Sequence, residues 1–290
     1  MSNQLGGGGA YELIDFGDGR KLESIGGYLI DRPSPAAAEI SVSTPAMWRD
    51  VDAYFDEVAG RWLMHRPWPT DAFIDAGPFR LPTRPTPFGH IGVFPEQRPQ
   101  WQWLAETVTA MLSPGPVQAL NLFAYTGGST LAMAAAGASV AHVDAAKPNV
   151  TTARAAAQVS GMQEAPIRYL VDDAMKFTAR EVRRGRTYQI VVLDPPAYGH
   201  SPDGKAWRIE RDVWPMIDEV LRLFGDGRGA VLFTCHSETV TAPNVADYFH
   251  NHPTLRDVRD ALQLTYDRSP LTDRNHRKLD AGYHVRLTWP

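Results

Sequence analysis

From about residue 117 onward, short apolar runs alternate with longer segments that have helical spacing. Apolar residues that recur every three or four positions indicate helices, and continuous apolar runs indicate buried strands. Strands that alternate with helices form an open, mostly parallel sheet, so the pattern predicts an α/β fold. The predicted strands are Val117–Phe123, Val140–Val143, Ile167–Val171, Tyr188–Leu193, Ala230–Thr234, Leu262–Tyr266 and Tyr283–Trp289, and the predicted helices are Ser129–Ala136, Asn149–Val159, Ala174–Arg183, Arg211–Phe224 and Val245–Phe249.

The first part of the chain has a different pattern, rich in turns and aromatic residues. Tyr11–Phe16 alternates polar and apolar positions, and Arg20–Ile25 follows it across a glycine turn, which predicts a β-hairpin. We also expect a third strand at Tyr28–Ile30 and a helix over Met47–Val58.

Three tryptophans, Trp48, Trp62 and Trp68, fall in this part of the chain and either close a small core or line a binding surface. The change of pattern divides the chain into a small β-rich substrate-recognition region, residues 1–85, and a larger domain, residues 86–290.

The composition narrows the class of protein. With 43% apolar residues in 290, the chain can bury a sizeable core. No run approaches the ~20 apolar residues that span a bilayer, and the glycine-rich residues 1–9 read as a flexible lead-in rather than a secretion signal. The single cysteine excludes an internal disulfide and a multi-thiolate metal site, and His250 and His252 lack a third ligand. We therefore expect a cytoplasmic protein without a metal or a membrane segment.

The charge balance bears on the choice of substrate. A formal net charge of −4 does not favour a wide phosphate-binding surface, so any contact with nucleic acid must come from local basic clusters. Such clusters are otherwise ordinary solvated surface. The two candidate clusters are Arg180, Arg183, Arg184 and Arg186, and Arg268, Arg274, Arg277 and Lys278.

Candidate ligand-binding residues follow the predicted strands, at the edge where open α/β sheets bind ligands. Gly127 and Gly128 follow the first strand and let a helix start approach a ligand. Asp144 follows the second strand, where an acid accepts the hydroxyls of a ribose. Asp173 and Ala174 follow the third, where a carboxylate and a backbone N–H can bond an adenine. Each acid could instead cap the next helix, and the G-x-G-x-x-G fingerprint of NAD enzymes is absent.

The fourth of these strands, in chain order, ends in Asp194-Pro195-Pro196, followed by Tyr198. A double proline fixes a rigid turn and leaves carbonyl groups unpaired. These carbonyls and the Asp194 carboxylate can face a flat polar ring in an active site; the alternative is a stiff loop without a ligand.

Together these motifs resemble those of the class I S-adenosylmethionine-dependent methyltransferases. The runs Leu122–Gly128, Asp172–Ala174 and Asp194–Pro196 look like those of the relatives of bacterial large-subunit rRNA cytosine-C5 methyltransferases. The stretch Phe88–Arg98 is similar to a segment that precedes the cofactor domain in that family. The resemblance covers about residues 90–240, whereas the start of the chain does not look like the PUA domain of many relatives and is more similar to a poorly characterised branch.

The resemblance implies a Rossmann-like sheet, mostly parallel with an antiparallel C-terminal strand, and an enzyme that uses S-adenosyl-L-methionine. It also implies RNA, first of all rRNA, as the substrate. The residues that it assigns to the cofactor are Phe123, Tyr125, Thr126, Gly127, Gly128, Asp144, Asp173, Ala174, Asp194 and Gln97, and those that it assigns to the substrate are Pro195, Pro196 and Tyr198.

The last strand before the C-terminal pair ends in Thr234-Cys235-His236-Ser237, which resembles the run that holds the nucleophile of the cytosine-C5 relatives. Carbon 5 of a pyrimidine is a poor nucleophile, and a thiolate that adds to carbon 6 converts the ring into an enamine that can attack a methyl group. On this hypothesis Cys235 and Asp194 are catalytic and cytosine C5 is the favoured acceptor. The alternative is that Cys235 is a small buried residue.

Three other functions remain open. Asp194 and the Pro195 carbonyl could hold an exocyclic amino group of RNA or DNA while Tyr198 stacks on the base. The acidic net charge also suits a small-molecule or protein methyltransferase. A non-catalytic module would bind S-adenosylmethionine or RNA without turnover.

Overall fold

The computed structural model describes residues 9–113, 115–200, 206–225 and 227–290. The glycine-rich lead-in that the sequence predicts lies outside the described residues, apart from Gly9. The first strands confirm the predicted hairpin and third strand. They are β1 (Tyr11–Gly17), β2 (Arg20–Ile25), β3 (Tyr28–Pro33), β4 (Ala53–Asp56), β5 (Arg61–Met64), β6 (Phe73–Asp75) and β7 (Arg80–Pro82).

The rest of the chain alternates strands and helices as predicted. Its elements are α1 (Arg98–Leu112), β8 (Gln118–Leu122), α2 (Gly128–Ala135), β9 (Ser139–Asp144), α3 (Lys147–Val159), β10 (Ile167–Val171), α4 (Ala174–Arg183), β11 (Ile190–Leu193), β12 (Tyr198–His200), β13 (Ala206–Arg208), α5 (Ile209–Leu221), β14 (Gly229–Cys235), α6 (Ala242–Asn251), β15 (Gln263–Arg268), β16 (Leu271–Thr272), β17 (Lys278–Leu279) and β18 (Tyr283–Trp289).

These elements form two compact units. The first contains the chain up to Glu96 together with Pro270–Ala281, and the second contains Gln97–Ser269 and Gly282–Pro290. In addition to residues up to 85, the first unit includes residues 86–96 and the later strands β16 and β17, and the domain boundary at residue 85 stays a prediction.

The first unit is built on a sheet of β1 to β5 in chain order, in which β3 and β4 are parallel and the other neighbours are antiparallel. The helix predicted over Met47–Val58 is wrong. A 3-10 turn, Pro45–Trp48, is followed by β4, in which Ala53 and Phe55 are buried and Tyr54 and Asp56 are half-buried. That alternation has the period of a strand, and pairing with β5 satisfies the backbone of this segment.

A buried carboxylate joins three parts of the first unit. Asp15 accepts hydrogen bonds from the backbone N–H groups of Ser43 and Thr44 and from Trp48 Nε1, and it pairs with Arg277. Burial alone would raise the pKa of Asp15, but the bonds from Trp48, Thr44 and Ser43 outweigh it and hold the pKa at about 2. The segment of β16 and β17 is therefore fixed to β1 by a buried ion pair.

The second unit contains a seven-stranded sheet in the order β10-β9-β8-β11-β14-β18-β15. β18 is antiparallel to β14 and β15, and the remaining neighbours are parallel, which confirms the predicted sheet with its antiparallel C-terminal strand. Helices α4, α5 and α6 contribute to a core on one face and α1 and α2 to a core on the other. Strand order reverses between β8 and β11, and ligands of such sheets bind at that point, beyond the carboxyl ends of the strands.

Helix α1 has no counterpart among the predicted elements. Its buried residues Trp101, Leu104, Val108 and Met111 are spaced by three and four positions, so the sequence does carry an apolar stripe of helical period. The helix places its first turn against the start of α2, as the glycines of that region show below.

Candidate cofactor and acceptor site

The loop between β8 and α2 has an unusual backbone. Phe123 and Tyr125 have φ values of 57° and 49°, in the left-handed region that side chains other than glycine rarely adopt, and Gly127 has a φ of 93°. The loop is held in this shape by the N–H of Ala124, which donates to the Val143 carbonyl at 3.0 Å. Strain that is stabilised in this way is typical of a ligand-binding loop.

The two glycines of this loop have different roles. A Cβ on Gly127 would lie 3.0 Å from the Cβ of Ala153, in addition to the cost of its positive φ. A Cβ on Gly128 would lie 2.7 Å from the ring of Trp101, so Gly128 lets α1 pack against the start of α2. Gln97, the N-cap residue of α1, is one helical turn before Trp101. A contact between Gln97 and the cofactor stays a prediction.

The Asp144 carboxylate ends β9 and is fixed by three donors. Oδ1 accepts from the N–H of Ala146 and from Asn149 Nδ2, at 2.8 and 3.0 Å, and Oδ2 accepts from the N–H of Tyr125 at 2.8 Å. The side chain is 8% exposed, and burial raises the pKa of Asp144 despite these hydrogen bonds. Its oxygens are thus oriented beside the loop, where they can accept the hydroxyls of a ribose.

The two acids after β10 are used differently. Asp172 accepts from the N–H of Asp173 and pairs with Arg180. Asp173 is the N-cap of α4, with Oδ1 accepting from the N–H of Lys176 at 2.9 Å. The helix-cap alternative therefore holds for Asp173. A carboxylate has two oxygens, and Ala174 begins the helix with an N–H that has no partner within α4, so an adenine contact of this pair stays a prediction.

A hydrogen-bond network of three buried polar side chains lies next to the loop between β8 and α2. Asn121 Nδ2 donates to Thr130 Oγ1 at 2.9 Å, and Thr130 Oγ1 lies 2.9 Å from His142 Nδ1. Burial and the nearby Arg154 lower the pKa of His142 to about 3, so the ring is neutral. The sequence does not predict this network, because its three residues belong to different elements, β8, α2 and β9, and no local motif joins them.

On the other side of the switch point, Asp194 follows β11 and is half-buried. Thr234 Oγ1 donates to Asp194 Oδ1 at 2.6 Å. The Pro195 ring is buried and Pro196 is exposed. The carbonyls of this turn were expected to be unpaired, but that of Pro196 accepts a hydrogen bond from Trp207 Nε1 at 2.7 Å, since β13 folds back over the turn.

Two aromatic side chains lie beside this turn. The ring centroid of Trp207 is 5.0 Å from that of Phe123. Phe123 belongs to the loop between β8 and α2, so this loop contacts the residue that packs on the Asp194 turn. Tyr198 begins β12 and is 56% exposed, which leaves its ring accessible to a ligand. The sequence does not assign Trp207 to the site, because nothing in the Asp194-Pro195-Pro196 motif predicts that β13 folds back over this turn.

Cys235 is 2% exposed and belongs to the core that α5 and α6 cover. Its Sγ accepts a hydrogen bond from the N–H of Ser237 at 3.2 Å. Burial raises the pKa of the Cys235 thiol above its usual value, whereas nucleophilic cysteines have a lowered pKa and an accessible sulfur. Its role as a nucleophile stays a prediction, and it requires the thiol to become exposed when a substrate binds.

Arginines of both predicted basic clusters form ion pairs with acids. Arg180 binds Asp172, Arg184 binds Glu181, Arg274 binds Glu12, and Arg277 binds Asp15 and Asp273. Half of the eight cluster residues therefore have carboxylate partners, which reduces the positive potential that they offer to phosphates.

Comparison with known protein families shows to which family the chain belongs. Residues 40–254 of the 290 match the family model described as S-adenosylmethionine-dependent methyltransferase. The chain belongs to this methyltransferase family. The methyltransferase is 31% identical to the solved SAM-dependent methyltransferase from Agrobacterium tumefaciens, with a TM-score of 0.87 over 98% of this chain and 91% of that chain. The fold is shared with SMU.776, described as a methyltransferase in complex with SAH, at a TM-score of 0.71 and 16% identity over 97% of this chain and 76% of that chain.

Two curated relatives are ribosomal RNA large subunit methyltransferases. This chain is 35% identical over 119 residues to the ribosomal RNA large subunit methyltransferase I of Shewanella denitrificans. The matched segment covers 40% of this chain and 29% of that protein. The chain is 32% identical over 117 residues to the ribosomal RNA large subunit methyltransferase K/L of Methylococcus capsulatus, in a segment that covers 40% of this chain and 16% of that protein. The matched segments thus span less than a third of each relative.

We call the edge formed by the ends of β8, β9 and β10 the cofactor half of the site. Its residues fit the S-adenosylmethionine that the family uses. The Asp144 carboxylate has the fixed orientation that a ribose would require, and the left-handed backbone at Tyr125 and Gly127 leads into the N-terminus of α2, where helix-start N–H groups suit the carboxylate of a methionine; both contacts with the cofactor stay predictions. Within the described residues, no group of three or more His, Cys, Asp and Glu could hold a metal ion, and no helix has the length and apolar character to cross a membrane.

Proposed function

We propose that this methyltransferase transfers a methyl group to a base in RNA, with ribosomal RNA as the first candidate. The observation that carries the proposal is the acceptor edge, where Asp194 is held by Thr234 directly across the switch point from the cofactor loop and is followed by the exposed ring of Tyr198. A fixed carboxylate beside an exposed aromatic ring suits a flat ring with polar edges. The matches to large-subunit rRNA methyltransferases support RNA as the source of that ring.

The chain's own residues divide the work between the two halves of the site. When bound, S-adenosylmethionine supplies an electrophilic methyl group on a sulfonium. Asp144, Asp173 and the N-terminus of α2 bind and orient the cofactor, whereas Asp194 binds the polar edge of the base and Tyr198 stacks on its face. The buried Pro195 keeps the Asp194 backbone rigid, because its φ is fixed.

Two acceptor atoms make opposite demands on Cys235. Methylation at carbon 5 of cytosine requires the Cys235 thiolate to add to carbon 6 of the ring, and its position next to Thr234 in sequence supports this acceptor. Methylation of an exocyclic amino group requires only Asp194 and the turn. The burial of the thiol, and its position on the opposite face of β14 from Thr234, favour the amino group.

We further propose that the first unit contributes to RNA recognition. The ring of Phe88 is 80% exposed, and exposed aromatic rings stack on unpaired bases. Trp62 and Trp68 contact each other, at 6.0 Å between ring centroids, and both donate their Nε1–H groups to backbone carbonyls, so these rings belong to the packing of the unit.

The proposal is tested with tritiated S-adenosylmethionine and separate pools of deproteinised large-subunit rRNA, small-subunit rRNA, DNA and protein. We expect label in the large-subunit rRNA and, after digestion to nucleosides, in a single methylated base. Label confined to protein or to small molecules would overturn the proposal. A Cys235→Ala variant that retains full activity would exclude the covalent mechanism at carbon 5, and loss of activity with unchanged cofactor affinity would support it.

A further inference from the structure

The pairing register of the second sheet places one row of side chains along its acceptor edge. Leu193 pairs with Phe233, so the next residue, Asp194, is level with Thr234, in agreement with the hydrogen bond between them. Thr234 pairs with His284 of β18. Neighbouring strands are about 4.8 Å apart, so the backbones of Asp194 and His284 are separated by about 10 Å, with Thr234 between them.

Thr234 and His284 point to the same face of the sheet. Phe233 and Cys235, on either side of Thr234, belong to the core under α5 and α6, so Thr234 faces the opposite side. His284 is its direct cross-strand partner and shares that face. Arg286, two residues further along the strand, donates from Nε to the Gln100 side chain at 2.9 Å, which identifies this face as the one that the first turn of α1 covers.

The start of β18 is fixed closely against β14. Gly282 has a φ of 88°, and a Cβ there would lie 2.4 Å from the Cys235 carbonyl oxygen, so only glycine allows this approach. His284 Nδ1 lies 3.1 Å from Ser269 Oγ at the end of β15. In the tautomer with its hydrogen on Nδ1, the ring donates to Ser269 Oγ and Nε2 keeps a lone pair.

We propose that His284 is the general base of methyl transfer at this site. The inference rests on the proposed function in taking the Asp194 turn as the place where the acceptor binds. When the acceptor atom forms its bond to the methyl carbon, the bond from that carbon to the sulfonium breaks and its electron pair stays on sulfur. The acceptor then carries one hydrogen too many, His284 Nε2 takes it as a proton, and the imidazolium releases it to water.

The charged groups around His284 suit this role. Burial and Arg286 on the same face lower the pKa of His284, while Asp267, its cross-strand partner on β15, opposes them. Asp194 is two strands away beyond the uncharged Thr234, and His236 follows β14 with its Nδ1 3.0 Å from where a Cβ on Gly282 would lie, beside the start of β18. The ring is therefore neutral at neutral pH and able to accept a proton.

The test compares the full-length enzyme with its His284→Gln variant, using tritiated S-adenosylmethionine and a bacterial extract separated into RNA, protein and small-molecule fractions. Glutamine retains a donor toward Ser269 but cannot take a proton. We expect kcat of the unaltered enzyme to fall on acidification below the pH at which an ordinary histidine titrates. In His284→Gln we expect kcat to be about 100-fold lower and this acid limb to be lost, with calorimetric cofactor affinity unchanged within about twofold.

His250→Gln, on the exposed side of α6, is the matched control and is expected to retain the activity of the unaltered enzyme. A His284→Gln enzyme with kcat within about threefold of normal and the same pH profile would overturn the proposal. So would an NMR titration of the cofactor-bound protein in which His284 ionises at or above the usual histidine pKa.

The two proposals fail separately in this experiment. Label outside the RNA fraction overturns the proposed substrate, and the comparison with His284→Gln is then read in whichever fraction is labelled. Label in RNA with an unaffected His284→Gln variant supports the substrate and overturns the base.

Discussion

The two halves of the sheet edge in the second unit present their functional groups in different ways. In the cofactor half, formed by β8, β9 and β10, the backbone supplies much of the site, through a left-handed loop, a helix start and one carboxylate that backbone N–H groups orient. In the acceptor half, formed by β11, β14 and β18, side chains from distant segments are brought side by side by strand pairing, as in the bond between Thr234 and Asp194 and the register of Thr234 with His284.

This difference means that the two halves should respond separately to substitution. Groups in the cofactor half are fixed mainly by neighbouring backbone, whereas those in the acceptor half depend on strand pairing between distant segments. Substitutions in the cofactor half are therefore expected to affect binding of S-adenosylmethionine, and those in the acceptor half to affect turnover.

The largest effect is expected for Asp194→Ala. If Asp194 binds the acceptor as proposed, removal of its carboxylate should lower kcat about 1000-fold, because the turn holds this charged group rigidly. Cofactor affinity, measured by calorimetry, should stay within about twofold. A parallel loss of cofactor affinity would mean that the two halves are not independent.

A smaller effect, on the other half, is expected for Asp144→Ala. Loss of two charge-assisted hydrogen bonds to a ribose should raise the Kd for S-adenosylmethionine about 100-fold, as measured by calorimetry. The control is Asp172→Asn, since the Asp172 carboxylate is bound by Asp173 and Arg180. Equal weakening by both substitutions would contradict the role of Asp144.

Thr234→Val tests how Asp194 is held. The isosteric change removes the hydroxyl that donates to Asp194 Oδ1, and kcat should fall about tenfold while the KM for the cofactor is unchanged. Thr234→Ser restores the donor and should recover most of the activity. If serine and valine give the same rate, the hydroxyl does not position Asp194.

The smallest effect concerns pH. Because burial raises the pKa of Asp144, its carboxylate takes up a proton at a higher pH than an ordinary aspartate with a pKa of about 4. The ionised form accepts the ribose hydroxyls, so cofactor affinity is complete above this raised pKa and is lost as the pH falls through it. Calorimetry from pH 7 downward should show the weakening, and the same dependence in Asp144→Asn would exclude Asp144 as its origin.

The same contrast explains what the sequence could predict. Gly127 and Asp144 stand directly after predicted strands, so a local pattern was sufficient to find them. Thr234 and His284 become neighbours only through the pairing of β14 with β18, and no local pattern specifies that register. The apolar residues between Trp48 and Val58 recur at helical spacing and also alternate, and pairing with β5 decided in favour of a strand.

The first unit contains a late segment of the chain, Pro270–Ala281, and this has a consequence for biosynthesis. Arg277, the cation of the buried Asp15 pair, is 262 residues later in the chain than its partner. A nascent polypeptide therefore cannot complete this unit until residue 277 has left the ribosome. A product truncated before residue 277 would retain the buried Asp15 carboxylate without its cation, at a cost of about 3 kcal/mol, so the ion pair makes the stability of the first unit depend on a segment that is synthesised long after β1.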